Sequence, residues 1–134
     1  MAEARSSGQD LGKLDLRVAL GAVVLFHGVF KVTHGVEWIK GPLGELGLPG
    51  FLAYGTYAAE VLAPLLLFVG YKVRIAAAVI AFDMLMALVL VMRPQILTVK
   101  EAGGGWGVEI EALLLLVSVA LVFMGGGRYG VERA

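Results

Sequence analysis

The chain has 134 residues, of which 59% are hydrophobic and 16% charged, and its mean hydropathy is +0.86. That is too apolar for a soluble domain of this length, so the composition predicts a polytopic membrane protein. Eleven basic residues balance eleven acidic ones, which implies no basic surface for nucleic acid, and the lack of cysteine excludes a thiol relay, a CxxC redox pair, an iron–sulfur cluster and a thiolate zinc site within this polypeptide.

In chain order, the leader Met1 to Asp10 is polar and without periodicity, so it is expected to fray. A first span is predicted from about Leu16 to Val36, the length needed to cross ~30 Å of hydrocarbon. It takes in His27, Lys31 and His34. A charged leader before the apolar Val18 to Phe26 imitates a secretory signal. However, no A-x-A-like site follows, and Lys31 and His34 stand where cleavage should occur, so the helix is expected to be retained. The loop Gly41 to Gly50 is rich in glycine and proline and is expected to lie along the membrane interface.

The second span, Phe51 to Tyr71, holds Glu60 as its sole charge, with Thr56, Tyr57 and Pro64 on the same helix face. The third, Ile75 to Met92, holds only Asp83. Just Lys72, Val73 and Arg74 separate these two spans, which makes them antiparallel neighbours. The connection around Pro94 and Gly103-Gly104-Gly105 reads as a loose loop. A fourth span runs from Trp106 to Met124, with Glu109 and Glu111 in its first turns, where carboxylates suit a helix N-terminus. The glycine runs lack the strand, the Lys-Ser/Thr and the helix of a phosphate loop, so they read as turns and a helix stop. The expected architecture is an all-α integral membrane four-helix bundle, up-down-up-down, forming one transmembrane domain over residues 1–134.

Orientation follows from the basic residues. Arg5, Lys13, Arg17, Lys72, Arg74, Arg128 and Arg133 fall on the side of both termini, against Lys31, Lys40, Arg93 and Lys100 on the other. The termini are therefore expected in the cytoplasm, with the chain multi-pass in the inner (plasma) membrane. Along the first span, Arg17, Leu20, Val24, His27, Lys31 and His34 step by three or four residues and form one face. His27, Glu60 and Asp83 then lie near mid-membrane, while Lys31, His34, Glu109 and Glu111 lie towards the outer leaflet. Glu109 and Glu111 point in different directions, so one of them joins the cluster; Glu111 shares a face with Ser118.

A charge at the centre of a span costs roughly 2.5–3.5 kcal/mol on insertion scales, so these residues are expected to face one another or a wet cavity. Their structural reading is an ion pair that fixes helix register, and their functional reading is a ligand or proton site. Two histidines on one face suggest haem or metal. Axial haem ligation needs imidazoles on opposite sides of the ring, which one helix face cannot supply, and no metal site is assigned. Met84, Met86 and Met92 read as packing.

Arg17 to Lys31 with its Phe26-His27-Gly28, the Leu46-Gly47-Leu48-Pro49 segment, Glu60 followed by Gly70 and Arg74, and the closing Gly125-Gly126-Gly127-Arg128-Tyr129 together resemble the DoxX family over about residues 14 to 132. The resemblance implies a small four-helix bacterial or archaeal membrane protein. Members are similar to the membrane subunit of thiosulfate:quinone oxidoreductase, and others associate with soluble oxidoreductases in oxidative-stress complexes. The family's recurrent polar positions map onto Lys31, Glu60 and Glu109 or Glu111, whereas Asp83 departs from the pattern.

The expected function is a membrane subunit that binds a quinone or another small amphipathic ligand and docks a soluble oxidoreductase, with no covalent cofactor and no catalysis of its own. His27 with Glu60 or Asp83 would exchange protons, and Lys31 would stabilise a developing oxyanion. The alternatives are a proton-coupled small-molecule transporter, which a dual-topology homo-oligomer would favour, and a scaffold without chemistry.

Overall fold

The computed structural model describes residues 7–35, 40–41, 44–45, 47–50, 54–101 and 103–132, with only the backbone described at 90, 91 and 93. The expected leader as far as Ser6, the end of the first span at Val36, the start of the second at Phe51, and Pro42, Leu43 and Leu46 of the first loop lie outside the described residues. Four helices account for the fold: α1, Ser7–His34; α2, Gly55–Val69; α3, Val73–Met86, continued by a wider π turn over Ala87–Val91; and α4, Glu109–Met124. Among the described residues the sole extended pairing is the bridge between Val99 and Trp106.

Three of the four helices, α1, α2 and α4, end at a glycine. Gly35, at φ 81°, donates its N–H to the Lys31 carbonyl and stops α1. Gly70, at φ 74°, does the same to Leu66 at the end of α2, and Gly125, at φ 75°, to Leu121 at the end of α4. All three are left-handed positions that favour glycine. Within α2 the backbone widens to a π turn over Ala58–Leu62, where Ala63 N–H reaches back to the Ala58 carbonyl. Pro64, which has no N–H to offer the Glu60 carbonyl four residues back, is one cause of this departure from the α pattern.

The helices pack in a ring: α1 on α2, α2 on α3, α3 on α4, and α4 back on α1. Leu20, Val24, Leu67, Ala77, Ile80, Met84, Leu114 and Leu121 form the shared core. Along α1 and α2 the contacts run in opposite senses, with Gly21 against Phe68 and Gly28 against Glu60. Outside the core, all four helices expose large apolar side chains, from Phe26 (79% exposed) and Phe82 to Leu116 and Phe123 (77%). Such a surface is out of place in water and at home in lipid. One helix, α1, is long and apolar enough by itself to cross a membrane.

Three expectations need correction. The leader does not fray from Ser7 onward: α1 starts there, and Asp10 is buried against Arg128, with Nε 3.3 Å from Oδ2. Instead of a loose connection, the described residues 95–101 and 103–107 form a small hairpin, with Gly107 N–H on the Thr98 carbonyl, Thr98 Oγ1 on the Gln95 carbonyl, and Gly103 and Gly104 both at positive φ. Trp106 therefore sits in this hairpin, its indole N–H donating to the Ile96 carbonyl, and α4 begins later, at Glu109.

Candidate functional site

The close approach of α1 to α2 places the site. A Cβ on Gly28 would lie 2.1 Å from the Glu60 carbonyl oxygen, so only glycine lets the two backbones meet here. That carbonyl is the one Pro64 cannot engage. One turn beyond Gly28, Lys31 extends its ammonium to Glu60 Oε2, and the two form a salt bridge whose carboxylate is 1% exposed. The Tyr57 hydroxyl donates to the Lys31 carbonyl at 3.3 Å and closes the same corner.

From α3, Asp83 reaches the pair: its carboxyl lies within hydrogen-bonding distance of Glu60 and within electrostatic range of Lys31. Two carboxyl groups thus meet one ammonium. Since Lys31 holds Oε2, Glu60 Oε1 and Asp83 Oδ2 are left buried without a donor from the protein. Both carboxylate-bearing helices also carry a π turn at or just beyond the charged residue, Ala58–Leu62 around Glu60 and Ala87–Val91 after Asp83. Such turns recur at functional sites. Removing one member of a buried charged pair costs about 3–5 kcal/mol, so this arrangement also holds α1 and α2 in register.

Arg17 anchors the opposite end of the bundle. Its guanidinium, 1% exposed, donates to the carbonyls of Leu67 (2.9 Å), Phe68 (3.5 Å), Gly126 (2.9 Å) and Tyr129 (2.6 Å). Carbonyls at the end of α2 have no partners within that helix, and a cation is favoured there. The closing segment is tied down further by Val131 N–H on the Val69 carbonyl and by Glu132, which takes the Lys72 N–H and pairs with its ammonium at 3.5 Å.

The family model for DoxX matches residues 12–93, the stretch that carries Arg17, Gly28, Lys31, Glu60 and Asp83. The chain belongs to the DoxX family. Within it, the chain is 34% identical over 117 residues to CatD of Bacillus subtilis, provisionally named an oxidoreductase, covering 87% of this chain and 81% of CatD. It is also 27% identical over 130 residues to the uncharacterized membrane protein Rv3486 of Mycobacterium tuberculosis, covering 88% of this chain and 77% of that protein. No solved structure matches at a significant level. The composition, the apolar exterior and the name of the relative Rv3486 thus agree on membrane character for this DoxX protein.

Of the residues singled out in the sequence, the DoxX fold brings Lys31, Glu60 and Asp83 together. His27 is half-buried on the flank of α1 and makes no hydrogen bond or ion pair with Glu60 or Asp83, because Gly28 occupies the seam that the periodicity assigns to His27. Exposed at the head of α4, Glu109 pairs with Lys100 of the hairpin at 3.8 Å. Glu111 is half-buried and continues the α4 stripe of Leu114, Ser118 and Leu121. His34 is exposed, its ring stacked on Phe30 with centroids 4.1 Å apart. Among the described residues no three His, Asp or Glu side chains gather closely enough to hold a metal ion. Sequence reasoning missed Gly28, the Arg17 clamp and Asp10. A seven-residue step through Asp10, Arg17, Val24 and Lys31 was the available signal, since it places all four on one face.

Proposed function

We propose that this DoxX protein crosses the inner membrane four times as an up-down-up-down bundle with cytoplasmic termini, and that its Lys31–Glu60–Asp83 cluster binds a quinone or a similar small amphipathic ligand for a docked soluble oxidoreductase. The observation that carries this reading is the set of buried carboxylate oxygens, Glu60 Oε1 and Asp83 Oδ2, beside a lysine in an apolar bundle. Intramembrane ionisable groups mark ligand and proton pathways. Helix α4, with 16 residues, rises about 24 Å, and its flanking hairpin and closing glycines make up the remaining thickness of ~30 Å of hydrocarbon.

In the proposed role, Glu60 and Asp83 take or return the proton that accompanies each electron, at their unpartnered oxygens. Lys31 keeps positive charge beside them where negative charge develops on the ligand. The chain has no cysteine and no dinucleotide-binding pattern, so electrons must arrive from a second polypeptide. The name carried by CatD supports that setting. A proton-coupled transporter would use the same carboxylates, and the two readings differ in whether a redox ligand binds.

Equilibrium dialysis of the protein in lipid nanodiscs against a short-chain ubiquinone, in oxidised and reduced form, tests the proposal. At least one form should bind saturably, about tenfold more weakly to Glu60→Gln, a change on the order of 1.4 kcal/mol, and unchanged to Glu109→Gln. Absence of saturable binding by either form, or equal loss in both variants, would overturn it.

A further inference from the structure

We propose that the site selects the reduced, hydroxyl-bearing form of its ligand, a quinol, over the oxidised quinone; this rests on the quinone-site reading above. Donors and acceptors decide the preference. A quinone offers carbonyl oxygens, which only accept hydrogen bonds, whereas a quinol offers two O–H donors. At the centre of the cluster the protein presents two carboxylate oxygens, Glu60 Oε1 and Asp83 Oδ2, both buried and both without a donor from the protein. The two carboxyl groups lie within hydrogen-bonding distance of each other, a contact that needs one proton between them, and with that proton spent there Glu60 Oε1 and Asp83 Oδ2 stand as acceptors.

The cation of the cluster is already engaged. Lys31 is committed to Glu60 Oε2, the Tyr57 hydroxyl to the Lys31 carbonyl, and the Ser118 hydroxyl to its own helix at Leu115. A quinone carbonyl entering here would compete with Glu60 for the Lys31 ammonium and would leave both acceptor oxygens without a donor. A quinol hydroxyl would supply what Glu60 Oε1 and Asp83 Oδ2 lack, and its bond to the Lys31-paired Glu60 carboxylate is of the stronger, charge-assisted kind. The two acceptors come from different helices, Glu60 from the π turn of α2, where Gly28 packs against its backbone, and Asp83 from the α-helical part of α3.

Selective binding of the reduced form raises the midpoint potential of the bound couple, since the product of reduction is stabilised. A tenfold preference corresponds to about 30 mV for a two-electron couple. The site would then make the bound ligand a better electron acceptor for the docked partner.

The test is anaerobic equilibrium dialysis of nanodisc-embedded protein against ubiquinol-1 and ubiquinone-1 separately, with a redox titration of the bound couple in the unaltered protein. The wild type should bind the quinol about tenfold more tightly, with the midpoint potential raised by about 30 mV. Asp83→Asn and Glu60→Gln, each of which puts an amide donor where an acceptor stood, should abolish the preference. Equal affinity, or tighter binding of the quinone, overturns this inference and leaves the quinone-site reading standing. Binding of neither form overturns that reading too. The titration needs no variant, so a misfolded mutant cannot rescue the proposal.

Discussion

Replacing Gly28 with alanine should separate α1 from α2 and with them Lys31 from Glu60. The added methyl would stand 2.1 Å from the Glu60 carbonyl oxygen, 2.6 Å from its carbon and 2.9 Å from a Val61 methyl. Backbone cannot swing aside as a side-chain tip can, so the helices must part by about 1 Å, and overpacking of this kind costs about 1–3 kcal/mol. If the movement also breaks the buried ion pair, the loss approaches the ~3–5 kcal/mol of an uncompensated charge. Two controls calibrate the effect. At Gly21 the new methyl would meet only the edge of the Phe68 ring, at 2.7 Å, and the ring can rotate, so Gly21→Ala should be milder. At Gly12 nothing lies within 4 Å, and alanine in a helix interior there should stabilise by roughly 0.5–1 kcal/mol. Thermal unfolding in detergent should rank the variants Gly12→Ala, wild type, Gly21→Ala, Gly28→Ala in falling stability. Gly28→Ala unfolding no earlier than Gly21→Ala would refute the proposed seam.

Arg17→Met should destabilise by about 3 kcal/mol or more through carbonyls left without donors, and Arg17→Lys should not restore the loss because an ammonium cannot span four acceptors, as denaturation midpoints will record. In a double-mutant cycle, Lys31→Met with Glu60→Gln should be less damaging than the sum of the single changes, and additive unfolding free energies would show the pair uncoupled. Single cysteines placed at Lys40 and Lys72 of this cysteine-free chain should react with an impermeant thiol reagent in whole cells at Lys40 only. Labelling confined to Lys72 would invert the orientation.

Long apolar runs made the helices legible, and ionisable groups stranded inside those runs pointed to His27, Glu60 and Asp83, with Lys31 on the stripe of His27, because lipid leaves few other reasons for such a group to be there; of these, His27 stands apart from the cluster. Which face of α1 meets α2 was not legible. Periodicity gives a stripe but not its rotation, and the rotation is set by the one place where two backbones touch, Gly28 against Glu60. Arg17 reads as another cation near a helix end until its acceptors appear from positions 67, 68, 126 and 129, far away in sequence. Asp10 was set aside with a polar leader because its partner, Arg128, lies at the other end of the chain. The hairpin between α3 and α4 escaped notice because Gly103 and Gly104 signal a turn without revealing that Thr98 and Gly107 pair across it.

Photolabelling places the ligand most directly. The protein in nanodiscs is irradiated with an azido-quinone, with excess unlabelled quinol as competitor, and the modified peptides are mapped by mass spectrometry. Competable label should fall on the peptides holding residues 27–31, 57–61 and 80–84, which the bundle gathers around Lys31, Glu60 and Asp83. Label found only on the lipid-facing side chains around Phe26, Phe82, Leu116 and Phe123, or left undiminished by the competitor, would contradict a ligand site at the buried charges.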